Sequence, residues 1–296
     1  MAEPTRPPFA WAEPFLTVGT TGTNGKTSTT LLVAHALRAG GRSVLSETTL
    51  GYRFDDEELD VPRTTAGFYA ALEGAAQRGA RHAAVEVTSE ALARGFAKRW
   101  RFDIGVFTNL TRDHLDAHGS WEHYLASKAQ LFAHLPPNGA AILNGCDEVA
   151  PLLDRITPPD VPRIFYGSSS RGERRATLDL AVRKVELAAD GTTIDLESSA
   201  LAEQLGNRLR IQLVGDVFAE NALAAACAAL QAGTPGEAVA RGLLACPVVP
   251  GRFEVLHREP IVAVDFAHTP DALARACDTA RAGQRRKGDR GVRSRR

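Results

Sequence analysis

The segment Gly22-Thr23-Asn24-Gly25-Lys26-Thr27 lies between a short apolar strand, Phe15–Val18, and a helix-like stretch from Lys26 to Ala39. A glycine turn entering a helix offers backbone N–H groups and the positive end of the helix dipole, which together bind anions. In such a loop Lys26 reaches the terminal phosphates of a nucleotide and the Thr27 hydroxyl holds Mg²⁺, with Ser28 next in the cradle. The strict pattern asks for glycine five positions before Gly25. Position 20 is Thr, flanked by Gly19 and Gly22, so the loop is a variant. The expected ligand is ATP or GTP.

Further along, Glu86 closes the apolar run His82–Val87. Open α/β sheets bind ligands at the carboxyl edge of their strands, so this carboxylate is placed either to hold a nucleotide's Mg²⁺ or simply to face water. The next strand ends at Thr108-Asn109 and leads into Asp113-His114-Leu115-Asp116-Ala117-His118. Four ionisable groups in six residues suit a cation or polyphosphate, or a polar loop that caps the following helix. In the helix Trp121–Leu135 the apolar residues Trp121, Tyr124, Leu125, Leu131, Phe132 and Leu135 form one stripe, with Lys128 at its centre. A charged amine there loses its water at a cost. Its stem either snorkels past its neighbours to solvent, or Lys128 points into the nucleotide cleft. A neutral amine in that cleft can take up CO₂ as a carbamate and share a second Mg²⁺ with His114.

These groups need a parallel sheet to position them. Strand-like runs at Phe15–Val18, Ser43–Ser46, His82–Val87, Asp103–Thr108 and Ala140–Leu143 alternate with helical patterns at Lys26–Ala39, Ala66–Arg78 and Trp121–Leu135. From Arg163 to Phe218 the strands become shorter and alternating, which predicts an antiparallel insertion. Two Ala-rich helices follow, Glu220–Gln231 and Gly236–Ala245. Pro247–Pro250 reads as a linker, and Ile261–Asp265 with a helix capped by Thr269 opens a second α/β domain.

With 296 residues the chain has room for about two domains. Its formal net charge of zero gives no overall reason to expect nucleic acid or membrane as a partner. No apolar run approaches a membrane span, and the acidic, Pro-rich start is unlike a signal peptide. Cys146, Cys227, Cys246 and Cys277 are scattered without a C-x-x-C pair, which suits reduced thiols and a cytoplasmic location. Eight of the sixteen residues from Arg281 to Arg296 are Arg or Lys, too few apolar groups remain to bury a core, and a structureless tail is expected.

The motifs taken together resemble those of the Mur ligase family, in its central ATPase domain. They are Thr-Gly-Thr-Asn-Gly-Lys-Thr at 21–27, Glu86, Asn109 to Asp116, Lys128, Asn221, Pro250 to Glu254, and Val264 to Asp271, in the family's order over about residues 17–275. The nearest branch is the UDP-N-acetylmuramoyl-tripeptide synthetases. That resemblance implies a mostly parallel α/β P-loop sheet with flanking helices. The implied activity is an ATP-dependent ligase that joins an amino acid to a UDP-muramoyl-peptide-like carboxylate through an acyl phosphate, in peptidoglycan synthesis. A folylpolyglutamate-synthase-like glutamyl ligase and an inactive, truncated ATP-binding remnant are the alternatives.

The resemblance also implies roles. Gly22, Thr23, Asn24, Gly25, Lys26, Thr27 and Ser28 would hold phosphates; Asn221, Arg252, Asp265 and His268 would contact the nucleotide. Thr27 and Glu86 would hold one Mg²⁺, and His114 with carbamylated Lys128 a second. Lys26, Lys128 and His114 would be catalytic. Thr64, Thr65 and Ser89 would grip the acceptor, although Thr64 also suits a helix cap. The chain departs from the pattern at Glu90 and Phe96, where the family has His and Arg facing the acceptor. The expected organisation is an extension over 1–16, an ATP-binding domain over 17–249, the start of a further domain over 250–280, and the tail over 281–296. The family's UDP-binding domain is expected to be missing and its last domain cut short, so that a separate chain would supply the absent parts and this chain alone would be a poor catalyst.

Overall fold

A computed structural model describes residues 9–111, 119–168, 172–188, 190–258 and 261–288. Among these, β1 (Leu16–Thr21), β2 (Val44–Thr48), β5 (His82–Glu86), β6 (Ile104–Phe107), β7 (Ala140–Asn144) and β8 (Arg163–Ser168) run parallel, in the spatial order β8-β7-β6-β1-β5-β2. The chain leaves β1, passes over to β2, returns to β5, and then crosses β1 to reach β6. The carboxyl end of β1 is therefore the point where the winding changes direction, and such points open a crevice. The strands that flank it deliver Glu86 from β5 and Thr108-Asn109 from β6.

Helices cover both faces, as buried parallel strands require. On one face α1 (Lys26–Ala39), α8 (Asp216–Gln231) and α9 (Gly236–Ala245) pack over Val18, Val44, Ile104 and Ile142. The small side chains of α8, among them Ala222, Ala225, Ala226 and Ala229, are fully buried and let the helix approach closely. A Cβ at Gly242 of α9 would lie 2.5 Å from the His35 carbonyl of α1. The other face carries α2 (Thr65–Gln77), α3 (Ser89–Ala93), α4 (Phe96–Arg99), α5 (Trp121–Ala133) and α6 (Ala150–Ile156). Trp11 and Phe15 join this second core, Trp11 stacking on Trp100 with ring centres 6.3 Å apart, so part of the expected extension is packed.

The structure corrects three expectations. The segment from Arg163 is not an antiparallel insertion from its start, since β8 is parallel to β7 and β9 (Leu180–Ala188) is parallel to β8. Only β9, β10 (Gly191–Leu196) and β11 (Arg208–Ile211) are antiparallel, with α7 (Ala200–Gln204) between the last two, and they extend the same eleven-stranded sheet. Beyond β2 the sheet ends in a hairpin, β3 (Gly51–Phe54) and β4 (Glu57–Leu59), that the sequence reading passed over. Its signal was Asp55-Asp56 between alternating residues; Asp55 takes φ +52 at the turn.

The third correction concerns the end of the chain. The helix capped by Thr269, whose hydroxyl accepts from Ala272 N at 3.2 Å, is α10 and spans Pro270–Gly288. Residues 281–288, expected to be structureless, continue it. Ala, Arg, Gln and Lys are good helix formers, and Arg281 pairs with Asp278 one turn earlier. Between α9 and α10 lies a two-stranded antiparallel sheet, β12 (Glu254–Arg258) and β13 (Ile261–Val264). No helix among the described residues is long and apolar enough to cross a membrane.

Candidate active site

The loop after β1 is shaped by two glycines at which any side chain would be strained. Gly22 has φ +153, and a Cβ there would sit 1.9 Å from Thr108 Oγ1 and 3.1 Å from the Asn109 backbone. Gly25, φ +85, is the N-cap of α1, and its Cβ would meet Asn221 Oδ1 at 2.5 Å. The end of β6 braces the loop from outside. Thr23 N donates to Asn109 O at 2.8 Å, Asn24 N to Asn109 Oδ1 at 2.9 Å, and Thr108 Oγ1 to Asn24 O at 2.7 Å.

Helices α2, α3, α5 and α7 are capped by the hydroxyls of Thr64, Thr88, Ser120 and Ser199, whereas α1 has no side-chain cap. Its first N–H groups thus remain available to an anion. Lys26 curls back over the loop and donates from Nζ to Thr23 O at 2.8 Å and Gly22 O at 3.1 Å. Ser28 is buried behind it.

Thr27 and Glu86 come together as expected: Thr27 Oγ1 donates to Glu86 Oε2 at 2.8 Å, and Thr49 N donates to the same oxygen at 3.1 Å. The carboxylate is buried, not a solvated strand end. A hydroxyl beside a carboxylate suits Mg²⁺, which takes oxygen ligands and keeps several waters. Among the described residues no group of three or more His, Cys, Asp or Glu gathers as a metal cage. Asp113, His114 and Asp116 lie outside the described residues.

Lys128 does not snorkel. Its side chain is 1% exposed, its Nζ donates to Gly22 O at 2.8 Å and lies 4.3 Å from the centre of the Tyr124 ring. It lines the same cleft, about 240 Å³, as Lys26, Thr27, Glu86, Ser89 and Glu90. Tyr124, read from the sequence only as a stripe residue, also shares a 3.1 Å hydrogen bond with the Thr23 hydroxyl.

A second cavity opens on the other side of the loop, lined by Asn24, Ser28, Asn221, Arg252, Asp265 and His268, with Ala272 and Ala276 of α10 as one wall. The side-chain Nδ2 atoms of Asn24 and Asn221 are buried with no hydrogen-bond partner, an arrangement that calls for a ligand. Asp265 has a further role that the sequence did not signal: its carboxylate accepts from Phe253 N at 2.6 Å and Ala267 N at 2.7 Å and so fixes the turn. Burial lowers Arg252 from the usual guanidinium range, while Glu86 and Asp265 act against that shift. His268 is exposed and bonds the Phe266 carbonyl at 2.9 Å.

Thr64 and Thr65 are exposed at a third recess, shared with Glu47, Arg63, Glu86, Arg94, Phe96 and Arg99. Thr64 does cap α2, accepting from Gly67 N at 3.1 Å, so it serves the helix whatever else it contacts. Ser89 lies instead at the cleft with Lys128. Sequence reasoning missed Glu47. Burial pushes its carboxyl up to about 7, even though Tyr52, which donates to it at 2.9 Å, and Arg63 pull the other way.

An α/β sheet with a glycine loop at its switch point, a lysine over the loop and a hydroxyl–carboxylate pair beside it defines a protein of the P-loop class. Residues 20–229 match the Mur ligase middle domain. The chain belongs to the Mur ligase family. It is 37% identical over 275 residues to a UDP-N-acetylmuramoyl-L-alanyl-D-glutamate--2,6-diaminopimelate ligase of Geobacter metallireducens, which covers 88% of this chain and 51% of that protein. A solved structure of a ligase with the same name superposes with a TM-score of 0.75 at 29% identity, covering 91% of this chain and 54% of the other. A mutant of L. casei FPGS shares the fold, with a TM-score of 0.70 at 20% identity over 92% of this chain and 74% of its own. The chain spans about half the length of the curated relatives it matches.

Proposed function

We propose that this chain carries the ATP-binding part of an amide ligase that joins an amino acid to the carboxylate of a UDP-muramoyl-peptide-like acceptor, in the cytoplasm. The observation that carries this is the convergence of Lys26, Thr27, Glu86 and Lys128 on one cleft beside the uncapped start of α1. The amides at the start of α1 and the Lys26 ammonium would receive the β- and γ-phosphates. Placed there, the lysine offsets charge that builds as the γ-phosphoryl leaves. Asn24, Asn221, Arg252, Asp265 and His268 line the space for the nucleoside.

Thr27 and Glu86 would hold the Mg²⁺ that draws charge from the phosphates. A second ion would need an anionic ligand near Lys128, and a carbamate on its Nζ, with His114, would supply it. The acceptor would enter over Ser89 and past Thr64 and Thr65, bringing its carboxylate to the γ-phosphate; an incoming amine would then displace phosphate from the acyl phosphate. Glu90 in the cleft and Phe96 in the third recess would set which acceptor fits.

A single-turnover assay with the chain in excess over γ-labelled ATP tests this. Transfer of the label out of ATP, as acyl phosphate or free phosphate, that depends on a UDP-muramoyl dipeptide is expected. Transfer that is independent of acceptor, or that survives Lys26→Ala, would contradict the reading, and transfer with a folyl acceptor alone would favour the glutamyl-ligase alternative.

A further inference from the structure

Arg252 stands where its charge has two uses. It leaves the linker between α9 and β12, and its guanidinium donates to Thr27 Oγ1 at 3.3 Å. The same hydroxyl donates to Glu86 Oε2 at 2.8 Å, and both Glu86 and Asp265 attract the arginine. Its guanidinium carbon lies 4.8 Å from the centre of the Phe266 ring, so the planar group is held on one side by an aromatic face. A cation of the chain therefore already stands beside the hydroxyl–carboxylate pair where a hard divalent ion would bind, and two cations cannot share so small a space without strong repulsion.

The backbone that carries this arginine is unusual on both sides. Gly251 has φ +67, and Phe253 has φ +44, a left-handed conformation that a bulky residue adopts only when its surroundings enforce it. The enforcing bonds are present. Asp265 accepts from Phe253 N at 2.6 Å, Phe266 N donates to Gly251 O at 2.8 Å, and Glu254 accepts from Gly251 N at 2.9 Å. These bonds tie the turn to β12 and to the segment after β13, so a movement of Arg252 is transmitted to both.

We propose that Arg252 is a positioning residue that occupies, as a built-in cation, the place at Thr27 and Glu86 that a divalent metal takes, so that metal entry expels the guanidinium and shifts the turn Gly251–Phe253 with β12 and β13. The inference rests on the assignment of Thr27 and Glu86 as the metal-holding pair. The expelled guanidinium already lines the nucleotide cavity and has only to turn toward it. Metal binding and rearrangement of the segment after the linker thereby become one event.

The test uses the full chain with Mn²⁺ alone, its free concentration read by electron paramagnetic resonance, and hydrogen exchange over residues 251–258. Arg252→Gln removes the competitor and is expected to bind Mn²⁺ about tenfold more tightly than the wild type. Arg252→Lys, which keeps the charge, should stay within about threefold. Mn²⁺ should speed exchange over 251–258 in the wild type and leave Arg252→Gln, already fast, unchanged. Equal or weaker Mn²⁺ binding by Arg252→Gln, with binding lost in Glu86→Gln, would overturn the proposal and leave the metal pair standing. Wild-type Mn²⁺ binding by Glu86→Gln would remove the metal pair itself and the proposal with it.

Discussion

A buried amine in the middle of an apolar stripe has to be used or hidden, and Lys128 is placed for use. Its Nζ reaches the Gly22 carbonyl at the base of the phosphate loop. Loss of its proton and reaction with CO₂, which releases a second proton, would exchange a cation for an anion in the cleft that Glu86 also lines. Incubation with ¹³C-bicarbonate is expected to give a carbamate carbon resonance in the wild type and none in Lys128→Ala. A spectrum identical for the two proteins would rule the carbamate out.

Glu47 gives a prediction of a different kind at this scale. Its folded carboxyl titrates near 7, above its ordinary value of 4.5. Between those values the folded chain binds more protons than the unfolded one, so stability falls as pH rises through that window and stays lower above it. Glu47→Gln keeps an acceptor for the Tyr52 hydroxyl and removes the charge. It should stabilise the chain by about 1–2 kcal/mol at pH 8 and by nothing below pH 4. Thermal melts across that range check it, and an equal gain at both ends would show that the charge is not the cause.

Among the elements, those that build the site were legible and those that border it less so. The helix Lys26–Ala39 was legible to the residue because a glycine pair ends it, and Gly236–Ala245 also keeps its expected bounds. Glu86 stands at the end of β5, a position visible in the sequence as the end of an apolar run. The parallel direction of β8 was not legible, since alternating residues mark a strand but do not give its direction, and the crossover through α6 that joins it to β7 is short. The clamp by Asn109 and the turn held by Asp265 join residues 85 and 12 apart, and such pairings follow from tertiary contacts.

The cap of α2 tests the element that presents the third recess. Thr64→Ala should cost about 1 kcal/mol of stability, and Thr64→Ser only a few tenths, in denaturant unfolding. Equal losses would mean that the hydroxyl is not what holds the helix start. Gly22→Ala belongs here also, because its methyl would invade the contact between the loop and β6. A loss of about 2–4 kcal/mol is expected, and a variant as stable as wild type would show that the loop relaxes freely.

For the whole molecule, the sheet, the clamp from β6 and the wall supplied by α10 all converge on the cavity proposed to take the nucleotide, between the glycine loop and the linker. The second cavity is bounded by α8, the linker and α10 together, so it exists only when those parts are docked. That arrangement makes nucleotide binding a readout of the assembled chain and not of the loop alone. Calorimetric titration of MgATP into the full chain, beside Lys26→Ala and Asn221→Ala, is the most direct measurement. The structure predicts saturable one-to-one binding by the wild type, loss of at least about tenfold in affinity for Asn221→Ala, and a larger loss for Lys26→Ala. Binding of MgATP by Lys26→Ala as tight as by the wild type would contradict it.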